Sequence, residues 1–158
     1  MVAEQNLISD WVQPHLVNVR DKIGAVQGAE GSWGNFEKQI LLLVNSTNIR
    51  NDEALLKKVI LLTADFCDKD FYFLPINFSE FSLLEITQSL GAEKIFVFGF
   101  TPTQAGIFMQ GLSDEPLELQ QKTICFLPSV EKCVTDLDYK KRFGQIWLKI
   151  LQTKWITK

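Results

Sequence analysis

The run Gln39-Ile-Leu-Leu-Leu-Val44 constrains this chain more than any other stretch. A strand with one face in water alternates apolar and polar residues, and this run does not alternate. Both of its faces must therefore be covered, as in a parallel sheet with helices above and below. The polar loop Asn45-Ser-Thr-Asn-Ile-Arg50 ends it. The rest of the chain keeps the same rhythm. Leu55, Leu56, Val59, Ile60, Thr63 and Phe66 recur at helical spacing. Asn51 or Asp52 is placed to cap that helix, and Glu53 sits near the positive end of its dipole. Asp70 to Pro75 reads as a second strand. Asn77, with Glu80 three residues on, resembles a capping box ahead of the stripe Leu83, Ile86 and Leu90, which Gly91 stops. Lys94 to Gly99 reads as the third strand.

Strand, helix, strand, helix, strand implies two crossover units. The expected architecture is α/β: a three-layer α/β/α sandwich around a central, mostly parallel four-stranded sheet. Residues 117 to 128 supply the fourth strand, with a short extension at Leu117 to Leu119. Ser129 is placed to cap a turn through Val134. Asp136 or Asp138 opens a last helix whose buried stripe is Phe143, Ile146, Trp147, Ile150 and Leu151.

The chain has 158 residues, 46% of them hydrophobic and 12 of them Phe, which suits a single core. Residues 1–36 read as an N-terminal helical or flexible segment and 37–158 as the α/β domain. In the former, Leu7, Ile8, Trp11 and Val12 share one face of a short helix that Pro14 interrupts. Gly24, Gly28, Gly31 and Gly34 follow as a connection. A phosphate-cradling loop would follow a strand and open a helix, whereas this one precedes the first strand.

A net charge of −3 shows no basic excess of the kind that marks nucleic-acid surfaces, so direct nucleic-acid binding is not favoured. The N-terminus lacks the basic start and apolar block of a signal peptide, and no apolar run is long enough to cross a bilayer. Cys67, Cys125 and Cys133 have neither the even count of a disulfide framework nor metal-ligand spacing. They read as reduced thiols, and the chain as cytoplasmic.

Chemistry-bearing residues are sparse. His15, the one histidine, has no visible partner for general-base work or metal binding. Asp65, Asp68 and Asp70 lack the regular spacing of a calcium loop and read as a solvated helix end. Ser46 and Ser129 follow strands without the glycines of a nucleophile elbow. No cofactor and no metal is expected. Trp147 reads as core, while Trp11, Trp33 and Trp155 lie in polar surroundings where aromatics anchor partners or pack over domain ends.

In open α/β sheets ligands sit beyond the carboxyl ends of the strands, here Asn45-Ser46, Pro75-Ile-Asn77, Gly99 to Pro102 and Leu127-Pro-Ser129. The segment Phe126-Leu-Pro-Ser-Val-Glu-Lys-Cys, then Asp138-Tyr-Lys-Lys and Ile146-Trp147, resembles the closing segment of the uracil-DNA glycosylase superfamily. In that superfamily a histidine precedes the proline and stabilises the leaving uracil anion. Leu127 stands in its place, and Val44-Asn-Ser-Thr-Asn48 does not reproduce the loop that carries the water-activating residue. The resemblance therefore implies the fold without base excision, with Asn45, Ser46, Asn77, Leu127 and Ser129 as a vestigial pocket.

Ser113-Asp-Glu-Pro-Leu-Glu-Leu119, Leu127-Pro-Ser-Val130 and Ile146-Trp147 are more closely similar to the psi-subunit family of the bacterial DNA polymerase III clamp-loader assembly. That family uses a glycosylase-like domain without glycosylase activity. It implies a non-catalytic interaction subunit whose partners are clamp-loader or other replisome proteins. By position, Trp11, His15 and Trp33 would serve as the partner-binding residues. The alternative is a glycosylase-like or other pocket enzyme acting on nucleic acid or nucleotides.

Overall fold

A computed structural model describes residues 32–45, 49–76, 82–106 and 116–156. Its centre is a five-stranded mixed sheet in the order β2-β1-β3-β5-β4. The strands are β1 (Ile40–Asn45), β2 (Phe71–Ile76), β3 (Lys94–Phe98), β4 (Leu117–Leu119) and β5 (Lys122–Leu127). The pairs β1–β2, β1–β3 and β3–β5 are parallel, and β4–β5 is antiparallel.

The strand count is a correction to the four expected, and the mixed character a correction to a mostly parallel sheet. Leu117–Leu119 does not extend the next strand. It folds back on it through Gln120 and Gln121, both at positive φ (53° and 66°), the backbone of a tight two-residue hairpin. Asn-Gly is the sequence sign of such a turn, and two glutamines do not announce it.

Strand alternation splits the core between the two faces. Leu41, Leu43, Leu74, Ile95, Val97 and Phe126 point one way, where Leu83 and Ile86 of α2 (Leu83–Leu90) meet them. Ile40, Leu42, Phe73, Phe96, Phe98 and Leu127 point the other way. There α1 (Ile49–Leu61), α3 (Val130–Thr135) and α4 (Leu137–Leu151) cover them. The expectation that β1 is buried on both faces holds from Ile40 to Val44, each at most 1% exposed. Gln39 lies outside the strand, in the left-handed region at φ 57°.

Helix boundaries shift from those expected. α1 begins at Ile49, so Asn51 and Asp52 lie within its first turn, and it stops at Leu61, short of Thr63 and Phe66. The cap of α2 is Ser82, not Asn77. Ser82 Oγ accepts the Glu85 N–H at 3.3 Å, Glu85 Oε1 accepts the Ser82 N–H at 2.9 Å, and Gly91 closes the helix at φ 72°. Ser129 caps α3 as expected. Asp136 caps α4, accepting the amides of Asp138 and Tyr139.

The first described residues run along the outer side of β2. Trp33 and Phe73 exchange both backbone hydrogen bonds, and Phe36 N–H donates to Phe71 O. Gly34 is fixed there by sterics. Its φ is 106°, and a Cβ would stand 2.0 Å from Phe71 O. Residues 1–31, which include the expected N-terminal helix, lie outside the described residues. No helix among the described residues is long and apolar enough to cross a membrane.

Candidate functional site

The strand order places β1 and β3 side by side while their connections leave in opposite directions, β1 toward β2 and β3 toward β5. The crevice beyond the carboxyl ends of such a pair is where open α/β sheets bind ligands. Asn45 ends β1 there, half-buried. Ser46 and Asn77 lie outside the described residues. At the end of β3, Gly99 turns at φ 83° and its N–H donates to Leu127 O at 2.9 Å, holding the ends of β3 and β5 together.

Leu127, which ends β5, is 3% exposed and belongs to the apolar cluster that contains Phe98, Val130 and Trp147. The next polar group, the Ser129 hydroxyl, accepts the Lys132 N–H at 3.3 Å as a helix cap. Cys133, one turn on, turns its thiol toward Pro128 O at 3.5 Å, and burial pushes its pKa up to about 12. A thiol held protonated that firmly is packing material rather than a nucleophile.

One polar residue at this end has a different character. Asp52, in the first turn of α1, is 8% exposed. Burial, and secondarily the negative charge of Glu131 on α3, pushes its carboxyl up to about 6. A carboxylic acid so tuned exchanges protons close to neutrality, a property that clusters at functional sites. Asp in a first helical turn looks like an ordinary cap in the sequence. α3 packs against α1, close enough for Glu131 to act on the Asp52 carboxyl.

The other residues singled out by sequence are scattered. Trp33 stacks on Phe73, with ring centroids 5.1 Å apart and planes within 4°, and Lys57 Nζ lies 5.1 Å from the Trp33 ring centroid. Trp11 and His15 are outside the described residues. Asp70 is buried; its carboxylate accepts the Cys67 N–H at 2.9 Å and pairs with Lys38 at 3.6 Å. Among the described residues no His, Cys, Asp and Glu group is arranged to hold a metal ion. Trp147 is fully buried between Phe71 and Phe96.

Another concavity lies elsewhere, on the helical face. A groove of about 770 Å³ runs between α1, α3 and α4, with Trp155 beside it. No local pattern in the sequence marks it, because its walls come from residues almost a hundred positions apart, between Lys58 and Trp155.

No protein-family model matches the chain, and no curated protein matches it in sequence.

Proposed function

We propose that the chain is a non-catalytic interaction subunit, similar to the psi subunit of the DNA polymerase III clamp-loader assembly, built on a uracil-DNA glycosylase-like α/β/α sandwich and working in the cytoplasm. The observation that carries this reading is the state of the β5 end. Leu127 is sealed in the core and the Ser129 hydroxyl is engaged in capping α3. Both positions serve packing and helix termination, where a glycosylase would present a leaving-group stabiliser. On this reading the partners are clamp-loader or other replisome proteins, and Trp11, His15 and Trp33 belong to the segment that reaches them.

Affinity purification of the full chain from its native cell tests the proposal. Clamp-loader subunits should co-purify, and removal of residues 1–31, which spares the pairing of Trp33 with Phe73, should release them. If the truncated chain keeps every partner, the N-terminal assignment is wrong. If no replisome protein co-purifies with the full chain, the psi-like reading is wrong.

Asp52 favours a second reading, a pocket enzyme acting on nucleic acid or nucleotides. Its carboxyl, pushed up to about 6, belongs to the first turn of the helix that follows the carboxyl end of β1. A uracil-release assay on single- and double-stranded DNA separates the two readings. Turnover that disappears in Asn45→Ala or Asp52→Asn would establish the enzyme.

A further inference from the structure

Three of the five large hydrophobic side chains that stand exposed among the described residues line one groove. Leu62, Leu137 and Trp155, at 51%, 86% and 38% exposure, line the groove between α1, α3 and α4. Leu61 precedes Leu62, and Ile156, next to Trp155, donates its N–H to Leu62 O at 2.7 Å. A contiguous apolar patch of this kind marks an interaction surface, whereas hydrophobics scattered singly mean little.

The charge lining the groove is one-sided, although Asp136 and Asp138 flank Leu137 outside it. Lys58, Lys140 and Lys141 line the groove and no carboxylate does, on a chain whose net charge is −3. The walls are helices, whose backbone groups are already paired. A partner therefore gains no main-chain hydrogen bonds here, unlike one that adds a strand to a sheet edge, and must arrive with its own backbone satisfied. The local packing is firm enough to hold it. Gly144 of α4 lets Trp155 lie against that helix, since a Cβ there would be 3.2 Å from the indole Cζ2. Trp155 is tied in place by the Ala64 N–H to Lys154 O bond at 2.8 Å on one side and the Ile156 bond on the other.

We propose that this groove receives an amphipathic α-helix of a partner protein, with apolar residues at i, i+3 or i+4, and i+7 and acidic residues flanking them. The apolar stripe lies on Leu62, Leu137, Leu148 and Trp155, and the carboxylates meet Lys58, Lys140 and Lys141. A small apolar molecule fits less well, because such ligands are mostly enclosed, and here Leu137 stands almost fully in solvent beside the opening. The inference rests on the interaction-subunit reading but not on the identity of the assembly.

Selection of a displayed library of random helix-length peptides on the immobilised full chain tests it. Enriched peptides should carry the helical apolar spacing with a net negative charge. Their affinity should fall about tenfold or more in Leu137→Glu, a change at an exposed site that leaves the circular dichroism spectrum unaltered. The double variant Lys140→Glu/Lys141→Glu should reject the same peptides, and added salt should weaken binding to the parent chain. The proposal is overturned if nothing is enriched, if the enriched peptides are basic, or if Leu137→Glu binds them unchanged. Displacement of the peptides by decanoate at equal occupancy would assign the groove to a lipid instead. A photo-crosslinker at position 137 that joins residues 1–31 of the same chain, or a second copy, would make it an internal or self-association contact. Co-purification of clamp-loader subunits can fail while the selection succeeds, so the two ideas fall separately.

Discussion

Trp147 Nε1 donates to the Thr63 hydroxyl at 3.0 Å, and Thr63 in turn donates to Val59 O at 2.7 Å. The chain of bonds runs from the middle of α4 to the last turn of α1, wholly inside the core. Thr63→Val keeps the volume and removes the acceptor, leaving a buried indole N–H unpaired. Urea denaturation should show a loss of about 1–3 kcal/mol. In a Trp147→Phe background the same change should cost clearly less, and equal costs in both backgrounds would show the bond to be energetically idle.

Gly34→Ala places a methyl against Phe71 O in a backbone conformation that L residues avoid. The segment along β2 should detach, at a cost of about 2–4 kcal/mol. Hydrogen exchange at the amides of Phe36 and Lys38, which now donate to Phe71 O and Asp70 O, should accelerate while β1 stays protected. Unchanged exchange would mean that residues 33–38 are held by something other than this close approach.

Asp52 should make stability depend on pH. Its folded carboxyl is raised from 3.8 to about 6, so the folded state holds a proton that the unfolded chain releases. The contribution is therefore fully present below pH 3.8 and is lost as pH rises through about 6. Measured as the difference between the parent and Asp52→Asn, stability should fall by about 3 kcal/mol across that window and stay flat above it. A difference that rises with pH would show the carboxylate to be stabilised by a partner rather than penalised by burial.

The hairpin at Gln120 and Gln121 is an opportunity for stabilisation. Both residues sit at positive φ, where Asn-Gly is at home. Gln120→Asn with Gln121→Gly should raise stability by about 0.5–1 kcal/mol in thermal or urea unfolding, less whatever the exposed Gln88 Nε2 to Gln120 Oε1 contact supplies. A loss would mean that the glutamine side chains hold the turn.

What was legible in the sequence was whatever a local pattern determines. The unbroken run at Ile40 to Val44 implied two covered faces, and the stripe from Phe143 to Leu151 implied the last helix, because burial period and chain direction are local properties. The start of α2 was not legible, since Asn77-x-x-Glu80 and Ser82-x-x-Glu85 spell the same cap. The choice of Ser82 is supported from a distance, by the Leu83 N–H to Ala105 O bond at 2.9 Å. Asp52 and the groove were hidden for the same reason. A carboxylate acquires its character from α3, and Leu62, Leu137 and Trp155 become neighbours only after the sheet has folded.

The pairing of residues 33–38 with β2 has a consequence for how the chain behaves among its own copies. At one border of the sheet, Trp33 already uses the outward bonds of Phe73. At the other, β4 is only three residues long and ends in a tight turn. Among the described residues neither border offers a length of free ladder on which a foreign strand could grow, so fibril-like stacking is discouraged at both sides.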